Sequence, residues 1–258
     1  MRASFGEERR ELHSTHSLQG KLAVIMALVF GFGWCILAWD QSMSLDPHFF
    51  STMYGWQVFM GGWLVSLMVT SVLVRFWQDY LGADDLITDS HFHDIGKLCF
   101  AFTAFWGYLT FSQFLVIWYG NMFEETHFFT LRLSGVWKNW TLAAAWLTFA
   151  LPFFGLLSVK AKMWRPTMFF FAACSFTGLW IARYVEVYPS SYGVASNAPF
   201  SFWEVGIFLG FLGAWGFCYS SFMDAFPKFR VFLLTSPYRD EVQIPVDPVT
   251  MEPLPAHE

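Results

Sequence analysis

Six stretches of this chain are too long and too continuously apolar for a water-soluble fold. They run roughly over 21–39, 53–76, 96–119, 137–158, 166–187 and 203–226. Each has the length a helix needs to cross a hydrocarbon layer about 30 Å thick at about 1.5 Å per residue. The connections are too short for a separate soluble domain. The sequence therefore predicts one all-α integral membrane six-helix bundle over 19–228, an N-terminal arm over 1–18 and a tail over 229–258. A transmembrane β-barrel is excluded, because barrel strands alternate apolar and polar residues and these runs do not. Only 14% of residues are charged, against about a quarter in soluble domains.

Lysine and arginine placement sets the orientation. With the N-terminus in the cytoplasm, that side gathers Arg2, Arg9, Arg10, Lys21, Arg75, Lys97, Lys160, Lys162, Arg165, Lys228, Arg230 and Arg239, twelve of the fifteen. The outer side keeps Arg132 and Lys138, and Arg183 lies within a run. Both termini are expected to be cytoplasmic. The first run follows a basic segment, as a signal peptide would, yet it is too long for an h-region and no small-residue cleavage site follows, so it is expected to be retained. The arm reads as an amphipathic surface piece or a flexible one. The tail, rich in Pro, Asp and Glu, reads as extended on a partner or on the membrane surface. The net charge of −5 comes with no basic stripe suited to nucleic acid.

The third run carries polar groups along one side. On a helix from Asp94, the residues Asp94, Lys97, Tyr108, Ser112 and Tyr119 fall within about 60° of one another. Such a stripe suits proton transfer across a membrane, and equally suits hydrogen bonding to neighbouring helices. Gln113 lies off that face and is a buried amide. The inner approach holds His91 and His93 beside Asp89 and Asp94. An H-x-H pair with carboxylates is a weak metal signal, and a proton-collecting surface or a solvated loop that caps the helix through Asp94 accounts for it better. The outer approach holds Asp40 at the end of the first run, Glu124 and Glu125 after the third, and Arg183, Glu186 and Glu204. Arg183 and Glu186 stand at i, i+3 and can pair with each other or with Glu204.

No histidine lies in the middle of a spanning run, which argues against a bis-histidine haem or a copper centre. The four cysteines, Cys35, Cys99, Cys174 and Cys218, stand singly within apolar runs and read as core residues. There is no phosphate-cradling glycine motif. The chain thus has no visible means of carrying an electron itself, and any redox cofactors belong to partners. The 32 phenylalanines and 14 tryptophans read first as packing and lipid-facing residues, and second as walls for a quinone ring.

Three long motifs then carry a resemblance. They are Trp39-Asp-Gln-Ser-Met-Ser-Leu-Asp-Pro-His-Phe-Phe-Ser-Thr-Met-Tyr-Gly55, His93-Asp-Ile-Gly-Lys-Leu-Cys-Phe-Ala-Phe102, and Phe105-Trp-Gly-Tyr-Leu-Thr-Phe-Ser-Gln-Phe-Leu-Val-Ile-Trp-Tyr-Gly-Asn-Met-Phe-Glu-Glu125. Over about residues 20–190 the chain resembles the ActF-type membrane subunits of alternative complex III, a bacterial quinol:electron-acceptor oxidoreductase. Those subunits are similar to the NrfD and polysulfide-reductase membrane anchors. Family members carry more spanning helices, and the six runs here correspond to their C-terminal part. The remaining helices are expected on a separate polypeptide or not at all. The resemblance implies a cofactor-free subunit in the bacterial inner membrane, embedded in membrane lipid and packed against a paralogous quinol-binding membrane subunit. Partner subunits would hold multihaem cytochrome c and iron–sulfur clusters, with quinol as the substrate of the complex. It also implies a proton route through this chain. The residues fit one with an inner mouth at His91, His93, Asp94 and Lys97, a middle at Tyr108, Ser112 and Gln113, and an outer mouth at Asp40, Glu124, Glu125, Arg183, Glu186 and Glu204. A purely structural anchor, and a subunit with its own outer-side quinol pocket, are the competing readings.

Overall fold

The structure, a computed structural model, describes residues 2–81, 87–193 and 201–225, with side chains undescribed over 2–17 and at 19 and 81. Among the described residues it is helical throughout and contains no strand. The helices are α1 (Arg2–Gln41), α2 (Thr52–Leu81), α3 (Asp89–Gly120), α4 (Phe123–Arg132), α5 (Trp137–Ala145), α6 (Leu151–Gly155), α7 (Val159–Met163), α8 (Arg165–Tyr192) and α9 (Phe202–Ala225). A π turn over Trp146–Ala150 joins α5 to α6, and a 3-10 turn over Met43–Leu45 follows α1. Five helices are long and apolar enough to cross a membrane: α1 from Gly20, α2, α3, α8 and α9, with mean hydropathies from 1.4 to 2.3. That makes the chain compatible with a multi-pass membrane protein. The N-terminal arm is helical backbone continuous with the first apolar run, and the expected tail lies outside the described residues.

The fourth apolar run departs from a simple span. It is helical from Trp137 to Gly155 in three consecutive pieces of nine, five and five residues, with the π turn in the middle. Pro152 supplies the reason. A proline ring collides with the carbonyl four residues back, here that of Thr148, and it offers no N–H. Widening the turn relieves the clash, and the Leu151 N–H donates to the Trp146 carbonyl five residues back.

α8 is the centre of the packing. Of its most apolar stretch 56% is buried, against 17% for α1 and none for α9. It touches α2, α4, α5, the π turn, α6 and α7. Leu64 and Met68 of α2, Cys99 and Trp106 of α3, and Met168 and Leu179 of α8 form the main core. Close approach depends on two glycines. A Cβ on Gly178 of α8 would lie 2.7 Å from the Thr148 backbone nitrogen, and one on Gly107 of α3 would run into the Phe149 ring. Small residues at such crossings are how helices gain contact where lipid supplies no hydrophobic drive.

Gly178→Ala is expected to destabilise the chain by about 1–3 kcal/mol through overpacking. Gly210→Ala on α9, where nothing lies within 4 Å of the added carbon, should leave stability unchanged or slightly raised. Thermal unfolding midpoints of the two variants in one detergent measure the contrast.

Candidate functional site

Arg75 and Lys162 are buried where α2 meets α7, and a second set of charged groups gathers where α8, α4 and the α1–α2 connection meet. The organiser is Arg132, the last residue of α4, only 4% exposed. Its guanidinium donates to the Glu186 backbone carbonyl at 2.6 Å, to Ser190 Oγ at 2.8 Å and to its own-helix carbonyl of Phe128 at 2.9 Å, with Asp46 Oδ2 at 4.0 Å. It also lies 3.3 Å above the Phe128 ring, which stacks on Phe49 with centroids 3.7 Å apart. Burial pushes the pKa of Arg132 down to about 10, with Glu186 and Asp46 pulling the other way. It therefore stays charged at neutral pH.

Glu186 lies one turn from Arg183 on α8, and its side chain is 12% exposed. Arg183 donates to Oε1 at 2.8 Å and pairs with Oε2 at 2.6 Å. The buried Tyr54 hydroxyl donates to Oε2 at 3.2 Å, and the same hydroxyl lies 2.5 Å from Ser42 Oγ. Ser42 is half-buried in the connection after α1. A buried carboxylate is thus joined through two hydroxyls to a loop that reaches the surface.

On its other side Glu186 lines a cleft of about 960 Å³. α3 packs on the π turn and α6. The cleft opens between α3 and α5, with α2 and α8 as its floor and α4 as its end wall. Its polar groups are Tyr54, Gln57, Tyr108, Thr110, Gln113, Arg132, Thr141 and Glu186, and nearly all the remaining wall is apolar or aromatic. Gln57 Nε2 donates to Thr110 Oγ1 at 3.2 Å. Gln113 is 4% exposed and its Oε1 accepts no hydrogen bond from the protein.

Of the residues expected along a proton route, the structure brings together Arg183 and Glu186, and sets Gln113 in the same cleft with Tyr108 at its rim. Glu204 pairs elsewhere, accepting from the Tyr188 hydroxyl at 2.6 Å and from the Ser201 N–H at 2.8 Å. Asp40 is exposed, accepts from Gln41 and has its carbonyl taken by Ser44. Glu124 and Glu125 fall in the first turn of α4, where carboxylates complement the helix dipole. The third helix begins at Asp89, before the expected Asp94, with Thr88 as its cap. The Thr88 N–H donates to His91 Nδ1 at 3.2 Å, so His91 closes the cap. His93 is half-buried one turn inside.

The stripe itself points away from the bundle. Asp94 and Lys97 pair at 2.7 Å with both side chains more than half exposed, Tyr108 is 60% exposed and Tyr119 is 82% exposed. Ser112 is half-buried. The α3 face turned inward carries Gly96, Cys99, Thr103, Trp106 and Gln113. Arg132, Asp46, Tyr54, Ser42 and Ser190 were absent from the sequence-based site. A signal for Arg132 existed: it is a cation on the side that should carry few.

Comparison with models of known protein families finds no match to this chain, and comparison with curated proteins finds none either.

Arg132→Met is expected to lower stability by about 3–5 kcal/mol, since it leaves Asp46 without its cation and the Phe128 and Glu186 carbonyls and Ser190 Oγ without their donor. Ser190→Ala should cost only about 1 kcal/mol, one hydrogen bond among several. Thermal midpoints in detergent, with helical circular dichroism as the readout, separate the two.

Proposed function

We infer that this chain is a cofactor-free membrane subunit of an alternative complex III. In this reading it moves protons in support of quinol oxidation by its partners. The observation that carries it is the relay Glu186–Tyr54–Ser42. A largely buried carboxylate faces an apolar cleft on one side and is hydrogen-bonded through two hydroxyls toward the surface on the other. Carboxylates inside membrane segments are expensive and mark ion or proton pathways. A Tyr–Ser pair passes a proton by each hydroxyl accepting one hydrogen bond while donating another.

The fold in this reading has six spans, the fourth being α5, the π turn and α6 together. Both termini are cytoplasmic and the Glu186 end is outward, following the lysine and arginine count. The membrane is the bacterial inner membrane, and the partners are the paralogous quinol-binding subunit, an iron–sulfur protein and a multihaem cytochrome c. The three long motifs support this, as does the exposed α3 stripe, whose mid-helix Tyr108 hydroxyl needs a neighbour in a hydrocarbon environment. The stripe then runs at the seam between this chain and the paralogue. It forms a second proton lane, fed from His91, His93, Asp94 and Lys97 on the cytoplasmic side.

The test begins with gentle purification through a tag on the tail. Co-purification of a multihaem cytochrome, an iron–sulfur protein and a larger paralogous membrane subunit is the expected result. In vesicles containing that complex, Glu186→Gln and Tyr54→Phe should slow proton release by about 100-fold, the scale of a positioned proton-transfer group, with quinol turnover retained under uncoupled conditions. Asp94→Asn and Ser112→Ala should lower the protons moved per electron. Unchanged proton movement in all four variants would make the chain a structural anchor, and recovery of the chain alone and colourless would remove the respiratory assignment.

A further inference from the structure

At the opposite end of α8 from Glu186, a lysine is enclosed without an anion. Lys162 lies in α7 and is only 8% exposed. Arg75 of α2 holds that short helix in place by donating to the Lys162 and Met163 carbonyls at 3.3 and 2.7 Å. The Lys162 stem then lies along Gly96 of α3, where an added Cβ would fall 2.7 Å from the lysine Cβ, and its ammonium ends 5.2 Å from the centroid of the Phe100 ring. Phe100 is one turn deeper along α3 than Gly96. A lysine at a membrane boundary ordinarily turns its head toward water. This one turns inward.

The neighbouring cations are served. Lys97 pairs with Asp94 at 2.7 Å, Arg165 pairs with Asp79 at 2.7 Å, Asp79 and Asp89 act on Arg75, and Lys160 is exposed. The Lys162 ammonium has no ion pair or hydrogen bond with any described residue. Burial lowers its pKa and Lys97 lowers it further, with no carboxylate pulling the other way. An enclosed cation without a partner is costly, and an anion brought beside it favours the charged form.

We propose that Lys162 binds the phosphate of an anionic phospholipid seated at the seam of α3 and α7, with a headgroup of the phosphatidylglycerol kind, Lys97 at the rim and the acyl chains laid over α6. The proposal goes beyond the proposed function and needs only that α3 crosses a bilayer. Three observations choose the occupant. The first is level. α3 has 32 residues, about 48 Å at about 1.5 Å per residue, against about 40–45 Å for a bilayer with its headgroups. Gly96 stands about 10 Å from the helix start, at the edge of the hydrocarbon and close to the lipid phosphates. Trp164, 64% exposed just after α7, suits the same interface. The second is charge. A zwitterionic head would bring its own cation beside Lys97 and leave the local excess of positive charge as it was, whereas an anionic head cancels it. The third is surface. Phe100 stacks on Phe153 of α6 with centroids 5.2 Å apart, and Phe154 and Leu157 next to that ring are exposed, which gives acyl chains an apolar bed leading from the lysine into the bilayer.

Native mass spectrometry of the full chain in detergent reads binding of dioleoylphosphatidylglycerol, dioleoylphosphatidylcholine and inorganic phosphate. Phosphatidylglycerol should bind with a stoichiometry of one and about tenfold more tightly than phosphatidylcholine, the scale of one charge-assisted hydrogen bond. Inorganic phosphate should not displace it. Lys162→Met, whose straight side chain keeps the packing against Gly96, should bring the two lipids to equal affinity. Lys97→Met, on the exposed rim, should narrow the preference without touching the enclosed stem. Lys160→Met removes an exposed cation from the same short helix and should leave the preference in place. Phosphatidylglycerol should also raise the thermal midpoint of the native chain and of Lys160→Met, and not that of Lys162→Met. Equal affinity for the two lipids in the native chain overturns the proposal. So does a preference that survives Lys162→Met, one that falls as far in Lys160→Met, or displacement of the lipid by inorganic phosphate, which would make the site one for the free anion. No turnover, partner subunit or proton movement enters these measurements, so their outcome is independent of the relay.

Discussion

A guanidinium enclosed at the end of an apolar bundle constrains everything around it. Arg132 has five N–H donors and almost no water. Its environment has to supply acceptors, and it draws them from three separate parts of the chain: the last turns of α8, its own helix, and the connection after α1. The α1–α2 connection, which would otherwise be a loose polar loop, is held by Asp46 and by the stack of Phe49 on Phe128 beneath the cation. Taking a charge out of water is costly unless partners are fixed in place. That fixing sets the position of Glu186 and, through it, of Tyr54 and Ser42.

The cleft has a different origin, in backbone chemistry. Pro152 forces the π turn, and the π turn meets α8 at Gly178 and α3 at Gly107, where the absence of a Cβ admits Thr148 and Phe149. Contact is therefore close at the turn, and the space between α3 and α5 lies on the Glu186 side of it. One proline and two glycines thus account for why an apolar cleft ends at a charged cluster. Neither feature would face the other if the fourth run were a straight helix packed along its whole length.

Both features differ in how far they could be read from the sequence. Long apolar runs announce helices because nothing else satisfies the backbone in hydrocarbon, and α1, α2, α3, α8 and α9 lie where the runs do. The interruption at Trp146–Ala150 was written in Pro152, but a proline in a long apolar run is easily absorbed into the count of spans. In the sequence Arg132 reads as one of a few cations on the charge-poor side, a count that carries no information on its burial. Periodicity sets the polar residues of α3 on one side of the helix and says nothing of the direction that side faces. Only packing decides that, and it turned Gln113 inward and Tyr108 outward.

Those two residues bear different costs. Asp94 and Lys97 stand near one end of α3, and Tyr119 near the other, so interfacial water can serve their polar atoms. Tyr108 stands about 21 Å along the helix from Asp94, in the middle of the span, with most of its ring exposed. A hydroxyl there has no water and must hydrogen-bond to something beyond the described residues. It sits on the rim of the cleft and on the exposed stripe at once. The cost of that exposed hydroxyl argues that α3 does not face bare lipid at mid-membrane.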